Sequence, residues 1–202
     1  MPLWLDSWPL VLASKSASRR VLLEAAGIPV QIHPAEIDER SIEASAGRSD
    51  PSEVAALLAR AKAKAVAANM PGRLVLGADQ TLALDTRRFS KPTDRDAAAV
   101  QLQILRGATH ALHSAVALAR DGAIVYEHVD TARLTMRAFS EAFLQSYLDA
   151  AGDAVTASVG AYQLEGLGVQ LFERVEGHHS TILGLPLLPL LDWLRKAGVL
   201  AG

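Results

Sequence analysis

The chain has 202 residues, half of them hydrophobic and none of them cysteine. This composition supports a sizeable buried core and excludes a disordered chain, disulfide bonds, thiolate metal sites and a cysteine nucleophile. The formal net charge is −2, from 20 basic and 22 acidic side chains. Because a broad nucleic-acid surface needs a marked basic excess, we expect no nucleic-acid partner.

Nothing in the hydropathy pattern indicates a membrane protein. The longest apolar stretch, residues 182–191, has ten residues including two prolines, which is too short to span a bilayer. The N-terminal stretch carries Asp6 and no basic residue before its apolar run, unlike a secretory signal. We therefore expect a cytoplasmic protein with no membrane partner.

The predicted elements alternate between strands and helices along the chain. Apolar runs between turn residues predict strands, and helically spaced apolar residues behind a capping residue predict helices. The first part of the chain is predicted to form a strand in WPLVLA, a helix from Ser16 to Gly27, an extended segment over 28–38 and a helix from Asp50. The middle is predicted to form a strand over 73–79 with its continuation or hairpin partner in TLALD, a helix in DRDAAAVQLQILRG and two strands over 109–136. The last part is predicted to form a helix in SEAFLQSYLDAAG, a glycine-broken β segment over 162–177 and a helix in PLLPLLDWLRKAG. Asp121-Gly122 between the two long strands is a strong hairpin signal. This order predicts an α/β fold with a mixed sheet.

A loop rich in hydrogen-bond donors and positive charge follows the first strand. Ser14, Ser16 and Ser18 precede the pair Arg19 and Arg20. A helix N-terminus offers free N–H groups and a positive dipole end, and guanidinium groups match phosphate oxygens in pairs. The loop is therefore a candidate phosphate site. A capped surface helix with solvated arginines is the alternative.

Lys62 is a candidate ligand-facing cation. It lies four residues after Leu58 and eight after Val54, on the side of the helix that these two residues mark as buried. Lys64 is about 200° away around the helix and should be solvated. Lys62 either extends its ammonium to the surface or points it at a ligand.

Asp79 stands where an apolar strand ends, in GADQ. Gly77 permits another backbone to approach this strand closely. Ligands of open α/β sheets bind at the carboxyl ends of strands, and a carboxylate there can hold a hard cation or take a proton from water. An ordinary turn aspartate is the alternative interpretation.

Two weaker signals follow later in the chain. Lys91 precedes Pro92 in a stiff, extended loop. The segment GAYQLEGLG, with Gln163, Glu165 and three glycines, could enclose a flat ligand, and simple hairpin chemistry explains it equally well.

In their order along the chain, the motifs LASKSASRR, LARAKA, LGADQT, SKP, GAYQLEGLG and GLPLLPLL resemble the Maf family of nucleotide pyrophosphatases. The resemblance implies a single domain over residues 1–202. It would have a two-lobed α/β fold around an elongated mixed sheet flanked by helices, similar to the inosine-triphosphate pyrophosphatases, with a central cleft. The implied reaction cleaves a nucleoside triphosphate between the α- and β-phosphates, giving a nucleoside monophosphate and pyrophosphate, and requires Mg²⁺ or Mn²⁺. The resemblance also implies a cytoplasmic homodimer linked to nucleotide-pool cleaning and, in some bacteria, to restraint of septum formation in cell division.

The resemblance assigns roles residue by residue. The catalytic residues would be Asp79, Lys62, Lys91 and Arg19. The substrate-binding residues would be Ser14, Ser16, Arg20, Ser18, Gln80 and Glu165. The metal would be held by Asp79 and Glu39. Whether Asp79 acts as general base or as metal ligand stays open at this point.

The base preference also stays open. Gln80 and Glu165 look like the branch of the family that acts on 7-methyl-GTP, and a carboxylate suits the donors of a guanine edge. That branch often has an aromatic residue where this chain has Ser18, and dTTP or UTP is the alternative substrate. Two other functions are a nucleotide-binding regulator of cell division without turnover and a phosphatase that removes the terminal phosphate.

Overall fold

The computed structural model describes residues 2–47 and 50–202. Their strands are β1 (Leu10–Leu12), β2 (Val30–Ile32), β3 (Val75–Leu84), β4 (Arg87–Phe89), β5 (Thr109–Arg120), β6 (Ala123–Met136) and β7 (Phe172–Glu176). Their α-helices are α1 (Ala17–Ala25), α2 (Glu39–Ala46), α3 (Pro51–Ala67), α4 (Arg95–Leu105), α5 (Glu141–Ala151), α6 (Ala154–Ala157), α7 (His179–Ile182) and α8 (Leu187–Lys196). No helix in the described ranges is long and apolar enough to cross a membrane.

The described strands form a mixed sheet in the order β2-β1-β3-β5-β6-β7, and β4 pairs with β3 off this path. Strand β1 is parallel to both neighbours, with Val11 opposite Gln31 and Val75. By contrast, β3–β4 and β6–β7 are antiparallel pairs. The predicted α/β class with a mixed sheet is confirmed.

The chain divides into two compact units, and the division falls within the long strands β3, β5 and β6. The first unit contains residues up to 80, 114–130 and 179–202, and the second contains 81–113 and 131–178. This division by contacts does not test whether residues 1–202 form one family domain, so that statement stays a prediction.

In the first unit, β1 is buried on both faces. Leu10 and Leu12 belong to an apolar cluster that includes Leu190 of α8. Val11, on the opposite face, packs in a second cluster with alanines of α3, including Ala59. Because side chains alternate across a strand, burial of both faces requires the continuous apolar run seen in the sequence.

The second unit contains a buried aromatic group. The rings of Tyr162 and Phe172 meet edge to face with centroids 4.8 Å apart. His110 Nε2 lies 2.7 Å from the Tyr162 hydroxyl, and burial lowers the pKa of His110 to about 4. The Tyr147 hydroxyl donates to the Ala161 carbonyl at 3.0 Å.

Two segments differ from the sequence prediction. Residues 39–46 form α2 where no helix was expected, and the Asp38 side chain caps it by accepting the Ser41 N–H at 3.1 Å. The predicted β segment over 162–177 is wrong except for β7, because a short 3₁₀ turn occupies 167–171. Just before this segment, Gly160 and Ala161 have φ of 83° and 62°, which turns the chain instead of extending it.

Candidate active site

Helix α3 packs directly on the backbone of β3 beside Asp79. A Cβ atom at Gly77 would lie 2.1 Å from the Ala59 carbonyl oxygen and 2.6 Å from the Ala63 nitrogen. Only glycine permits this approach, so the predicted role of Gly77 is confirmed. The close packing places Lys62, which lies between Ala59 and Ala63 on α3, next to Asp79. The prediction that Asp79 stands at the end of a strand is wrong, because β3 continues through the apolar residues up to Leu84 and Asp79 lies inside it.

The Lys62 ammonium joins two carboxylates. Its Nζ donates to Asp79 Oδ1 at 2.6 Å and lies 2.9 Å from Glu39 Oε1. The side chains of Lys62 and Asp79 are each 12% exposed, whereas that of Glu39, the first residue of α2, is 47% exposed. Lys64 is exposed. The predicted orientation of the two lysines on α3 is therefore confirmed.

The surroundings of Asp79 act on its protonation in opposite directions. Burial raises the pKa of the Asp79 carboxyl and is the largest effect, while Lys62 and Arg19 oppose it and Glu39 adds to it. The net result is a raised pKa. A carboxylate with a raised pKa is a better proton acceptor near neutral pH than an ordinary surface aspartate.

Arg19 and Arg20 have different environments. Arg19 is buried, and it donates from Nε to the Gly184 carbonyl at 2.9 Å and from Nη1 to the Ala78 carbonyl at 2.9 Å. Burial lowers the pKa of Arg19, against the opposing effect of Asp79 and Glu39. Arg20 is half exposed and lies 3.9 Å from Glu24, a weak pair at the surface. Both predicted phosphate contacts stay predictions.

Two of the serines of the loop before α1 form hydrogen bonds within that loop. Ser14 Oγ accepts from the Ser16 N–H at 3.2 Å and from Arg19 Nη1 at 3.0 Å. Ser16 is the N-cap of α1, as predicted, and its Oγ accepts the Arg19 N–H at 3.4 Å. Ser18 is partly buried. The substrate contacts assigned to these serines stay predictions.

Gln80 belongs to a polar network that the sequence prediction did not include. Its Nε2 donates to Ser114 Oγ at 2.9 Å and to the carbonyls of Thr181 and Ile182 at 3.1 and 3.0 Å. The Thr181 hydroxyl in turn donates to Asp130 Oδ2 at 2.7 Å. In the sequence, the sign of this network is that two hydroxyl residues, Ser114 and Thr181, stand inside otherwise apolar runs. This network fixes the residue next to Asp79, and the predicted contact of Gln80 with the base stays a prediction.

Lys91 and Glu165 belong to the second unit, where both are exposed. Their predicted contacts with phosphate and base stay predictions. No cluster of three or more metal-ligating side chains occurs within residues 2–47 and 50–202. The pair Glu39 and Asp79 nevertheless has the donor chemistry that a hard cation requires, because oxygens of both carboxylates face one positive group, the Lys62 ammonium.

Comparison with known proteins gives matches along almost the whole chain. A family model described as "Maf-like protein" matches residues 9–197. A "Nucleoside triphosphate pyrophosphatase" of Bradyrhizobium diazoefficiens is 59% identical over 201 residues, covering 100% of both chains. A "7-methyl-GTP pyrophosphatase" of Rhizobium etli is 52% identical over 195 residues, covering 96% of this chain and 98% of that one. Among solved structures, a "dITP/XTP pyrophosphatase" of Mycobacterium abscessus matches 65% of this chain and 76% of its own, with 16% identity and a TM-score of 0.41. The family match includes every candidate residue named above.

Proposed function

Because the chain belongs to the Maf-like protein family, we propose that it hydrolyses nucleoside triphosphates between the α- and β-phosphates. The products would be a nucleoside monophosphate and pyrophosphate. Full-length relatives named nucleoside triphosphate pyrophosphatase support this activity. The structural observation that carries it is the largely buried Asp79 carboxylate held by the Lys62 ammonium at 2.6 Å.

In this proposal, Asp79 accepts a proton from the attacking water or helps to hold a metal ion. Its raised pKa suits the first role. Lys62 supplies positive charge to the triphosphate and to the leaving pyrophosphate. The oxygens of Glu39 and Asp79 would hold Mg²⁺ or Mn²⁺, which when bound supplies Lewis acidity to the phosphoryl oxygens.

The remaining candidates would bind the substrate. A triphosphate carries several negative charges, so Arg20 and Lys91 would add cations, and Ser14 and Ser16 would add hydroxyl donors. The homodimer, the cytoplasmic location, the cleaning of nucleotide pools and the restraint of septum formation follow from the family resemblance. They are proposed on that basis.

The proposed base is that of 7-methyl-GTP. A Glu165 carboxylate can accept hydrogen bonds from the N1–H and N2–H₂ groups of guanine and offset the positive charge of the methylated ring. A relative named for this substrate, at 52% identity, supports the proposal. Preference for dTTP or UTP is the alternative, favoured by the small side chain of Ser18.

The test is to identify the released ion. The purified protein is incubated with Mg²⁺ and a panel of nucleotides, and pyrophosphate and orthophosphate are measured separately. We expect pyrophosphate together with the monophosphate, and loss of both when the metal is chelated. Orthophosphate alone would indicate a terminal phosphatase, and binding without any product would indicate a regulator.

Two lysine variants provide a matched control. Lys62→Ala removes the ammonium beside Asp79 and should strongly reduce pyrophosphate release. Lys64→Ala removes the same charge from the exposed side of the same helix and should be nearly silent. Equal effects would show that position on α3 is irrelevant to the reaction.

A further inference from the structure

The Lys62 ammonium occupies the place between the two carboxylates that the proposed function assigns to a metal ion. It contacts Asp79 Oδ1 at 2.6 Å and Glu39 Oε1 at 2.9 Å. Mg²⁺ binds carboxylate oxygens at about 2.1 Å, and an ammonium does so at about 2.8 Å. An ion that binds these same two oxygens therefore competes with the ammonium for them. Two cations at such close range also repel each other.

We propose that Lys62 is an exchangeable internal cation. In the absence of metal its ammonium pairs with both Glu39 and Asp79. A divalent ion binds between these carboxylates by displacing the ammonium, which is then released to bind a phosphate group. This inference rests on the proposed function, because it states that metal binding by Glu39 and Asp79 precedes phosphate binding by Lys62.

The burial of Asp79 is the reason that a resident cation is needed. A carboxylate with only 12% of its side chain exposed is costly to leave charged without a partner. Arg19 also acts on Asp79, but its Nε and Nη1 donate to Gly184, Ala78 and Ser14. Lysine is suited to exchange because a flexible four-carbon stem carries its compact charge.

The half-exposed Glu39 provides the route for the exchange. With 47% of its side chain exposed, it can receive a hydrated ion from solvent while Lys62 still contacts Asp79. Metal binding and phosphate binding at Lys62 are then positively coupled. Such coupling is reciprocal, so a bound phosphate should also increase the affinity for metal.

The first experiment measures Mn²⁺ binding without nucleotide, from the electron paramagnetic resonance signal of free Mn²⁺. It compares the wild type, Lys62→Met and Lys64→Met. Loss of the competing ammonium should increase the Mn²⁺ affinity of Lys62→Met by about tenfold or more, whereas Lys64→Met, with the same change in net charge, should bind like the wild type. A Lys62→Met protein that binds Mn²⁺ no more tightly than Lys64→Met would overturn the inference.

The second experiment uses the wild-type protein, so it is independent of how well the variant folds. Lysine ammonium groups are observed by ¹H–¹⁵N correlation spectroscopy as Mg²⁺ is added. The Lys62 signal should be visible in the metal-free protein, because its largely buried ion pairs slow proton exchange, while the exposed Lys64 and Lys91 exchange quickly. We expect this signal to shift or disappear as Mg²⁺ binds. An unchanged signal at high Mg²⁺ would contradict the exchange.

These measurements separate the inference from the proposed activity, because neither involves turnover. Tighter Mn²⁺ binding by Lys62→Met in a protein that releases no pyrophosphate would support the exchange and refute the activity. If the wild type releases pyrophosphate but Lys62→Met gains no Mn²⁺ affinity, the activity is supported and the exchange is refuted.

Discussion

The Nε group of Arg19 donates a 2.9 Å hydrogen bond to the carbonyl oxygen of Gly184, 165 residues later in the chain. The Nη1 group of the same side chain donates to the Ala78 carbonyl at 2.9 Å. One buried guanidinium therefore joins α1, the turn after α7 and the β3 residue that precedes Asp79. Arg19 thus holds the backbone on which Asp79 is carried.

Arg19→Met should reduce stability much more than Arg20→Met. Removing the guanidinium leaves buried carbonyls without donors, so the free energy of unfolding should fall by roughly 3 kcal/mol. Arg20 forms an exposed pair with Glu24 at 3.9 Å, and its replacement should change that free energy by less than about 0.5 kcal/mol. Urea denaturation measures both values. Equal losses would contradict a structural difference between the two arginines.

Asp79→Asn should reduce pyrophosphate release by at least about a hundredfold, because the neutral amide does not accept the proton and lacks the negative charge that holds the metal. Steady-state turnover with Mg²⁺ measures this effect. Near-normal turnover in the folded variant would remove Asp79 from the proposed mechanism.

The same variant should stay folded and show a specific pH dependence. Because the folded-state pKa of Asp79 is raised above 3.8, the unfolded chain releases this proton at lower pH than the folded protein does. The wild type therefore loses stability relative to Asp79→Asn as the pH rises through and above 3.8. Thermal unfolding of both proteins across this range gives the difference, and a constant difference would argue against the raised pKa.

Gly77→Ala should strongly destabilise the protein. Its Cβ would overlap backbone atoms of α3, at 2.1 Å from the Ala59 oxygen, so helix and strand must separate. We expect a loss of about 3 kcal/mol or more in the free energy of unfolding. Gly166→Ala is the control, because the nearest atom to its Cβ lies at 3.8 Å. Similar losses at both positions would show that the close contact at Gly77 does not determine the free energy of unfolding.

His110 should make the protein sensitive to mild acid. The ring is 1% exposed, and burial lowers its pKa from 6.5 to about 4. The unfolded chain therefore binds a proton before the folded one does, and stability falls as the pH drops from 6.5 to about 4. The loss from this residue should be about 3 kcal/mol, at 1.36 kcal/mol per pKa unit. His110→Gln should show a shallower pH dependence in chemical denaturation, and an unchanged slope would contradict this assignment.

Glu165→Gln should reduce a preference for 7-methyl-GTP over dTTP and UTP by about ten- to a hundredfold. The amide places a donor opposite a guanine donor, a mismatch that typically costs about 1–3 kcal/mol. The ratio of kcat/KM between the nucleotides measures the preference in wild type and variant. The proposed recognition of guanine by Glu165 would be ruled out if the wild type prefers dTTP or UTP and Glu165→Gln leaves the kcat/KM ratio unchanged.

The sequence by itself determined the features that depend on near neighbours. Ser16 and Asp50 cap their helices because the cap contacts residues only two or three positions later. Asp121-Gly122 joins two strands because a tight turn is a local conformation. Lys62 faces inward because helical spacing fixes which side of α3 is apolar. The alternating order of these elements was enough to predict a mixed α/β sheet.

Tertiary structure decided which groups meet. The sequence indicated that Lys62 and Asp79 are chemically important, but only the packing of α3 on Gly77 places them 2.6 Å apart. Helix α2, which carries Glu39 to the same ammonium, was not predicted. Arg19 was assigned to phosphate, yet its donors at Nε and Nη1 are directed to carbonyls 165 and 59 residues away. Such partners cannot be read from local spacing, because a hydrogen bond between distant segments exists only once the core has brought them together.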